Sequence, residues 1–370
     1  MKEMKGIALK SLGIALCGAL SLFSLKCGDK AAENSGDAFN RRAMLENYAD
    51  NVIIPSFAEL QGKTNALNDA VAEFAQFPTE SRLLAARNAW EEAYLAWQFC
   101  NGFNFGPAQT STGTLFQKAG VFPANASRIE EFIAARNFDN DLARDARGFN
   151  AIEYLLYDTV ATSQVVAKFN NPDRRQYLRT LAAELKANID AVVAGWQTYR
   201  NEFVSRNGTD VGSSTSILFN EFVMSFESVK NFKLGVPLGR RPGQTAPEPK
   251  RVEAFYSGKS IRFMREHLKA IEQFYYGIGR NGADGIGFVE YLQSVPNGRQ
   301  LVAQTEAQLA VVKNRLNALP PDERLSQLIV SNFALVDALH SELQRHTRFF
   351  KSEMASLLSL TITFSSGDGD

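Results

Sequence analysis

From residue 38 onward, apolar side chains recur at three- and four-residue steps with polar ones between them, the spacing of amphipathic helices rather than of half-buried strands. Leu83, Ala86, Trp90, Ala93 and Trp97 form one such stripe behind a Thr79 cap. Leu178, Leu181, Leu185, Ile189, Val192, Trp196, Tyr199 and Phe203 form the longest, behind an Asn171-Pro172 start. Further helices are expected over 38 to about 77 with a kink or break at Pro55, over 217–234, 260–276 and 300–316, and from 322 to about 357. Ser127 and Glu130 have capping-box spacing for a helix through Ala135. Only Leu360 to Phe364 alternates like an extended segment. The pattern predicts an all-α protein built from up-and-down bundles.

Two stretches interrupt it. Residues 102–123 carry Gly102, Gly106-Pro107 and Pro123 and read as a long irregular loop, a class that is often functional. Residues 236–250 are rich in Pro, Gly and Arg and predict a linker between an N-terminal bundle, 38–235, and a C-terminal one, 251–370. Arg240-Arg241 within it reads as a solvated charge pair, or as a forked donor for a carboxylate or phosphate.

Gly148-Phe149-Asn150-Ala151-Ile152-Glu153-Tyr154-Leu155 sets an amide and a carboxylate in apolar company and has a counterpart in Gly285-Ile286-Gly287-Phe288-Val289-Glu290-Tyr291-Leu292. The offset 290 − 153 = 137 also brings Gly148 onto Gly285 and Tyr154 onto Tyr291, which suggests an internal duplication. Asn150 and Glu153, three apart, share a helical face. A buried acid there must find a partner or hold a proton. One reading makes Glu153 and Glu290 helix caps or partners of nearby arginines, with Arg144 and Arg147 as candidates. The other makes them part of a binding site.

Lys plus Arg and Asp plus Glu balance at 40 each, so net charge implies neither a nucleic-acid nor an anionic partner. Residues 1–27 have a basic front, Lys2 and Lys5, and an apolar run, the pattern of an export signal. Cys27 and the polar tether 28–37 that follows resemble a bacterial lipoprotein signal, with Cys27 acylated and the chain held to a membrane; the alternative is an ordinary cleaved signal with an incidental cysteine. Cys100 then has no partner for an internal disulfide. His267, His340 and His346 are scattered, with neither His-x-x-x-His nor Gly-x-Ser-x-Gly to mark a zinc or serine centre.

Gly148, Asn150 and Glu153 resemble the Gly-x-His-x-x-Glu signature of the imelysin family, with Asn150 in place of the histidine. The helix opening at Asn47 to Pro55, the loop Phe103-Asn104-Phe105-Gly106-Pro107 and the Thr361 to Phe364 end with its Gly-Asp-Gly-Asp tail are similar to that family in the same order. The resemblance implies a bacterial cell-envelope protein linked to iron uptake, with iron or haem as candidate ligand, uptake components as partners, and an outer-membrane position facing the periplasm or exterior. It also carries the family's nominal metallopeptidase activity. Asparagine is a poor transition-metal ligand and no general base. With Asn101 and Asn104 in the aromatic-Gly-Pro loop, the expected site is amide-lined and non-catalytic: Gly148, Asn150, Glu153, Glu290, Asn101 and Asn104 at the interface of the two bundles. A metal-dependent peptidase and a structural subunit with no small ligand are the alternatives.

Overall fold

The computed structural model describes residues 39–139, 142–158 and 160–364. The signal segment, Cys27, the tether and the Gly-Asp-Gly-Asp tail lie outside them. The described chain is all-α apart from a two-stranded ribbon. Among the described residues no helix is long and apolar enough to cross a membrane.

Helix α1, Arg41–Asn47, is capped by the Asn40 side chain and passes through a π-helical turn, Tyr48–Ile53, into α2, Ile54–Gln76. Pro55 therefore does not break the helix, as its missing N–H would suggest. The wide turn accommodates it, with Ile54 N–H reaching back to Ala49 O. The Asn51 carbonyl, which proline cannot serve, takes the Arg280 N–H at 2.8 Å.

Thr79 caps α3, Glu80–Trp97, as its spacing predicts. The loop beyond holds β1, Gln109–Thr110, antiparallel to β2, Gly113–Thr114, and then α4, Leu115–Ala119. Helix α5, Ala126–Ala135, is capped by Asn125 rather than Ser127. Glu130 is drawn instead to Arg174 at 2.6 Å and the Tyr154 hydroxyl at 2.5 Å, so the predicted capping box does not form. Next come α6, Gly148–Tyr157, α7, Thr162–Lys168, and the 34-residue α8, Pro172–Ser205, whose Asn171 cap receives the Asp173 N–H. Helices α2, α3, α6 and α8 pack together.

Helix α9, Ser214–Ser228, runs into a second π-helical turn, Val229–Gly235. The stretch predicted as a linker then folds tightly. Leu238 is buried, Gly239 takes positive φ against Ala246 O, and Arg240 pairs with Asp337 at 2.8 Å. Helices α10, Ser260–Tyr276, α11, Phe288–Gln293, and α12, Gly298–Asn317, follow. The predicted last helix is divided into α13, Leu325–Ser331, α14, Phe333–Arg348, a third π turn, Phe349–Glu353, and α15, Met354–Leu358. Asn332 stops α13 and caps α14 by accepting the Leu335 N–H, which explains that break.

The apolar core is continuous from Met44 to Leu360. Trp90 and Tyr94 on α3 meet Phe263 on α10 edge-on, with ring centroids 5.6 and 4.6 Å apart. The two copies of the repeated stretch are built differently: Gly148 opens the ten-residue α6 at positive φ, whereas Gly287, not Gly285, precedes the six-residue α11.

Candidate functional site: a closed polar network around Asn150

Gly148 sets the site. At φ +69° and with a Cβ that would stand 2.4 Å from Ala119 O, only glycine lets α6 start this close to α4. Trp90 on α3 fixes the next residue by donating its Nε1–H to Phe149 O at 2.8 Å. Asn150 and Glu153 then face inward, each 1% exposed.

Asn150 donates to the Tyr94 hydroxyl at 3.2 Å, and Tyr94 donates to Glu253 Oε1 at 2.8 Å. Glu253 Oε2 stands 2.8 Å from Lys233 Nζ, which also donates to Gln98 Oε1 at 2.6 Å. Gln98 accepts from Asn101 Nδ2 at 3.4 Å. Glu153 accepts the Ser257 N–H at 2.7 Å from the turn that carries Glu253. One polar network thus joins α3, α6, the π turn after α9 and the turn before α10.

Burial drives its electrostatics. It pushes the Glu153 carboxyl up to about 7; the Ser257 hydrogen bonds oppose this and the nearby Glu253 charge adds to it. Burial raises Tyr94 well above the usual phenol range, with the Glu253 charge adding to it. Lys233 is lowered by burial against the attraction of Glu253. The network therefore holds one buried ion pair and one acid that titrates near neutrality.

Of the residues marked in the sequence, Gly148, Asn150, Glu153 and Asn101 meet here. Asn104 braces the neighbouring loop, donating to Asn101 O at 2.6 Å and accepting from Phe116 N at 2.9 Å; its own N–H points at Glu221, whose carboxyl burial lifts to about 7. Glu290 lies elsewhere and caps α11 through the Gly287 N–H at 2.7 Å. Neither arginine proposed for Glu153 reaches it. Arg147 pairs with Glu184 at 2.6 Å and bonds Phe138 O, while Arg144 bonds Thr112 O.

Tyr94, Gln98, Lys233, Glu253 and Ser257 were not singled out by sequence reasoning. Tyr94 and Gln98 flank the tryptophan stripe and read as core. The available signal was weak: Lys233 sits between Phe232 and Leu234, in a stretch that also carries Lys230 and Asn231.

His267 Nε2 lies 2.8 Å from Ser225 Oγ, but its Nδ1 has no partner, so no carboxylate orients the ring as a serine nucleophile would need. Among the described residues no group of three or more His, Cys, Asp or Glu is arranged to hold a metal. In the network itself Glu253 already faces an ammonium, and a bare cation would have to displace Lys233. The donor set does not fit a bare metal ion.

The imelysin (peptidase M75) family model matches residues 53–345. Iron-regulated protein A of Synechococcus elongatus is 26% identical over 328 residues, covering 84% of this chain and 83% of that protein. A solved structure from Parabacteroides distasonis carrying the name iron-regulated protein A precursor superposes with a TM-score of 0.72 at 17% identity, over 87% of this chain and 97% of that one. An imelysin-like protein from Psychrobacter arcticum gives 0.69 at 18% identity, over 88% and 97%.

Proposed function

This chain belongs to the imelysin family, and on that premise we propose a non-catalytic binding protein of the bacterial cell envelope, connected with iron or haem acquisition. The observation that carries the non-catalytic part is the Asn150 amide donating to Tyr94 where the family signature has an imidazole. That amide, the Glu253 carboxylate held by Lys233 and the Glu153 carboxyl held by a backbone N–H are each already engaged within the protein, which supports a site without a hydrolytic metal. The iron connection draws on the name of the Synechococcus relative. The export-signal pattern of residues 1–27 and the position of Cys27 support a lipid-anchored chain; an outer-membrane position facing the periplasm or the exterior, and uptake components as partners, draw on the family membership alone.

Calorimetric titration of the purified protein with iron salts, haem and short peptides tests the reading. Saturable binding of haem or another chelated iron species, weakened by Glu153→Ala, agrees with it. Binding that survives Glu153→Ala removes this acid from the account, and silence toward every iron species favours a structural subunit.

A further inference from the structure

At the C-terminal end of α6 a cleft of about 530 Å³ opens to solvent, within the range of small-molecule sites. Arg87, Tyr157, Phe255, Tyr256 and Arg324 line it, so two guanidiniums and three aromatic rings share one concavity. We propose that this cleft binds a small oxyanion, a carboxylate or phosphate, carried on a body that lies against the aromatic wall.

Both cations are positioned without being neutralised. Arg87 donates from Nε to Leu156 O at 2.9 Å and from Nη1 to Thr162 Oγ1 at 3.4 Å, with its guanidinium 4.9 Å from the Tyr157 ring centre. Arg324 donates from Nη1 to Phe255 O at 3.0 Å and from Nη2 to Tyr256 O at 3.3 Å. Gly258, at φ +75°, lets Arg324 lie flat on this turn, since a Cβ there would come within 2.8 Å of the arginine side chain. Their partners are neutral oxygens, and neither arginine makes an ion pair with a described carboxylate. Asp158 is the one acid on the wall, and Lys168 meets its charge. Each guanidinium has five N–H donors, so both keep donors for a ligand. Two fixed arginines with spare donors suit the forked geometry of carboxylate or phosphate.

The cleft and the buried network share a turn. Phe255 and Tyr256 form the wall, and the next N–H, from Ser257, holds Glu153. The oxyanion site needs neither iron nor the envelope setting, so it can fail or stand apart from the proposed function.

The experiment is a calorimetric titration of the metal-free full chain at low ionic strength with citrate and with inorganic phosphate, using the neutral triethyl ester of citrate as control. Saturable binding of at least one anion is expected, weakened about tenfold by Arg324→Gln and by Arg87→Gln and weakened again by added salt. A preference for citrate or for phosphate identifies the oxyanion. Arg87 also ties down α6, so thermal melts check that the variants fold. If Arg87→Gln does not fold, Arg324→Gln and the salt dependence of the unaltered protein decide. No binding of either anion below about 10 mM, equal binding of the triester, salt-independent affinity, or an unchanged affinity in folded Arg324→Gln would each overturn the proposal.

Discussion

Lys233 Nζ stands 2.8 Å from Glu253 Oε2 with the two side chains 4% and 3% exposed, which makes this pair the electrostatic centre of the buried network. Removing one partner leaves a buried charge without its counter-charge, held only by a neutral donor or acceptor: Tyr94 for Glu253, Gln98 for Lys233. Lys233→Met or Glu253→Met alone is expected to destabilise by about 3–5 kcal/mol, and the double variant to recover much of that. Urea unfolding of the four proteins measures it; single effects that simply add would show that the ion pair is not coupled.

Glu153 gives a pH signature of opposite sign to the usual carboxylate. Its folded value, about 7, lies above its ordinary 4.5, so the folded state binds the proton more tightly. The resulting stability is fully present below about pH 4.5 and is lost as pH rises through about 7. Glu153→Gln keeps an acceptor for the Ser257 N–H without the charge. It should match the parent at pH 5 and exceed it at pH 8, by up to roughly 3 kcal/mol. Melting curves at the two pH values check this.

The three histidines act on acid stability. Burial lowers His267 well below its ordinary 6.5, His340 to about 4 and His346 to about 3. A histidine kept neutral in the folded state binds its proton in the unfolded one first. Stability is therefore lost as pH falls below about 6.5. His346 is fully buried with neither ring nitrogen partnered, against Phe226, Phe349 and Phe350. His346→Phe should flatten the acid side of the pH–stability profile and leave neutral stability equal or raised by about 1 kcal/mol. A steeper acid loss in that variant would remove His346 from the account.

Gly148 ties the site to α4. Gly148→Ala demands an unfavourable φ and places a methyl 2.4 Å from a backbone oxygen that has no flexible tip to move aside. A loss of about 2–4 kcal/mol is expected, read by urea unfolding. A change under about 0.5 kcal/mol would mean that α6 can start elsewhere.

Much of this was legible in the chain. The tryptophan stripe of α3 and the Asn171-Pro172 start of α8 were readable because periodicity and capping are local. So were the inward faces of Asn150 and Glu153. What pairs with them was not readable, because Tyr94, Lys233 and Glu253 come from distant segments joined only by packing. At Pro55 the kink-or-break expectation erred only in the break, for a related reason: a π-helical turn carries the chain through, and Arg280, far along the chain, supplies the donor that proline lacks. Glu290 matches Glu153 in sequence, yet in the six-residue α11 its carboxylate folds back onto its own helix start.

The most direct test of the central claim, that the Asn150 site is closed and non-catalytic, is mass spectrometry of a protein substrate incubated with the purified chain and added zinc or iron. The account predicts that the substrate stays intact. Fragments that vanish with chelator and with Glu153→Ala would contradict it.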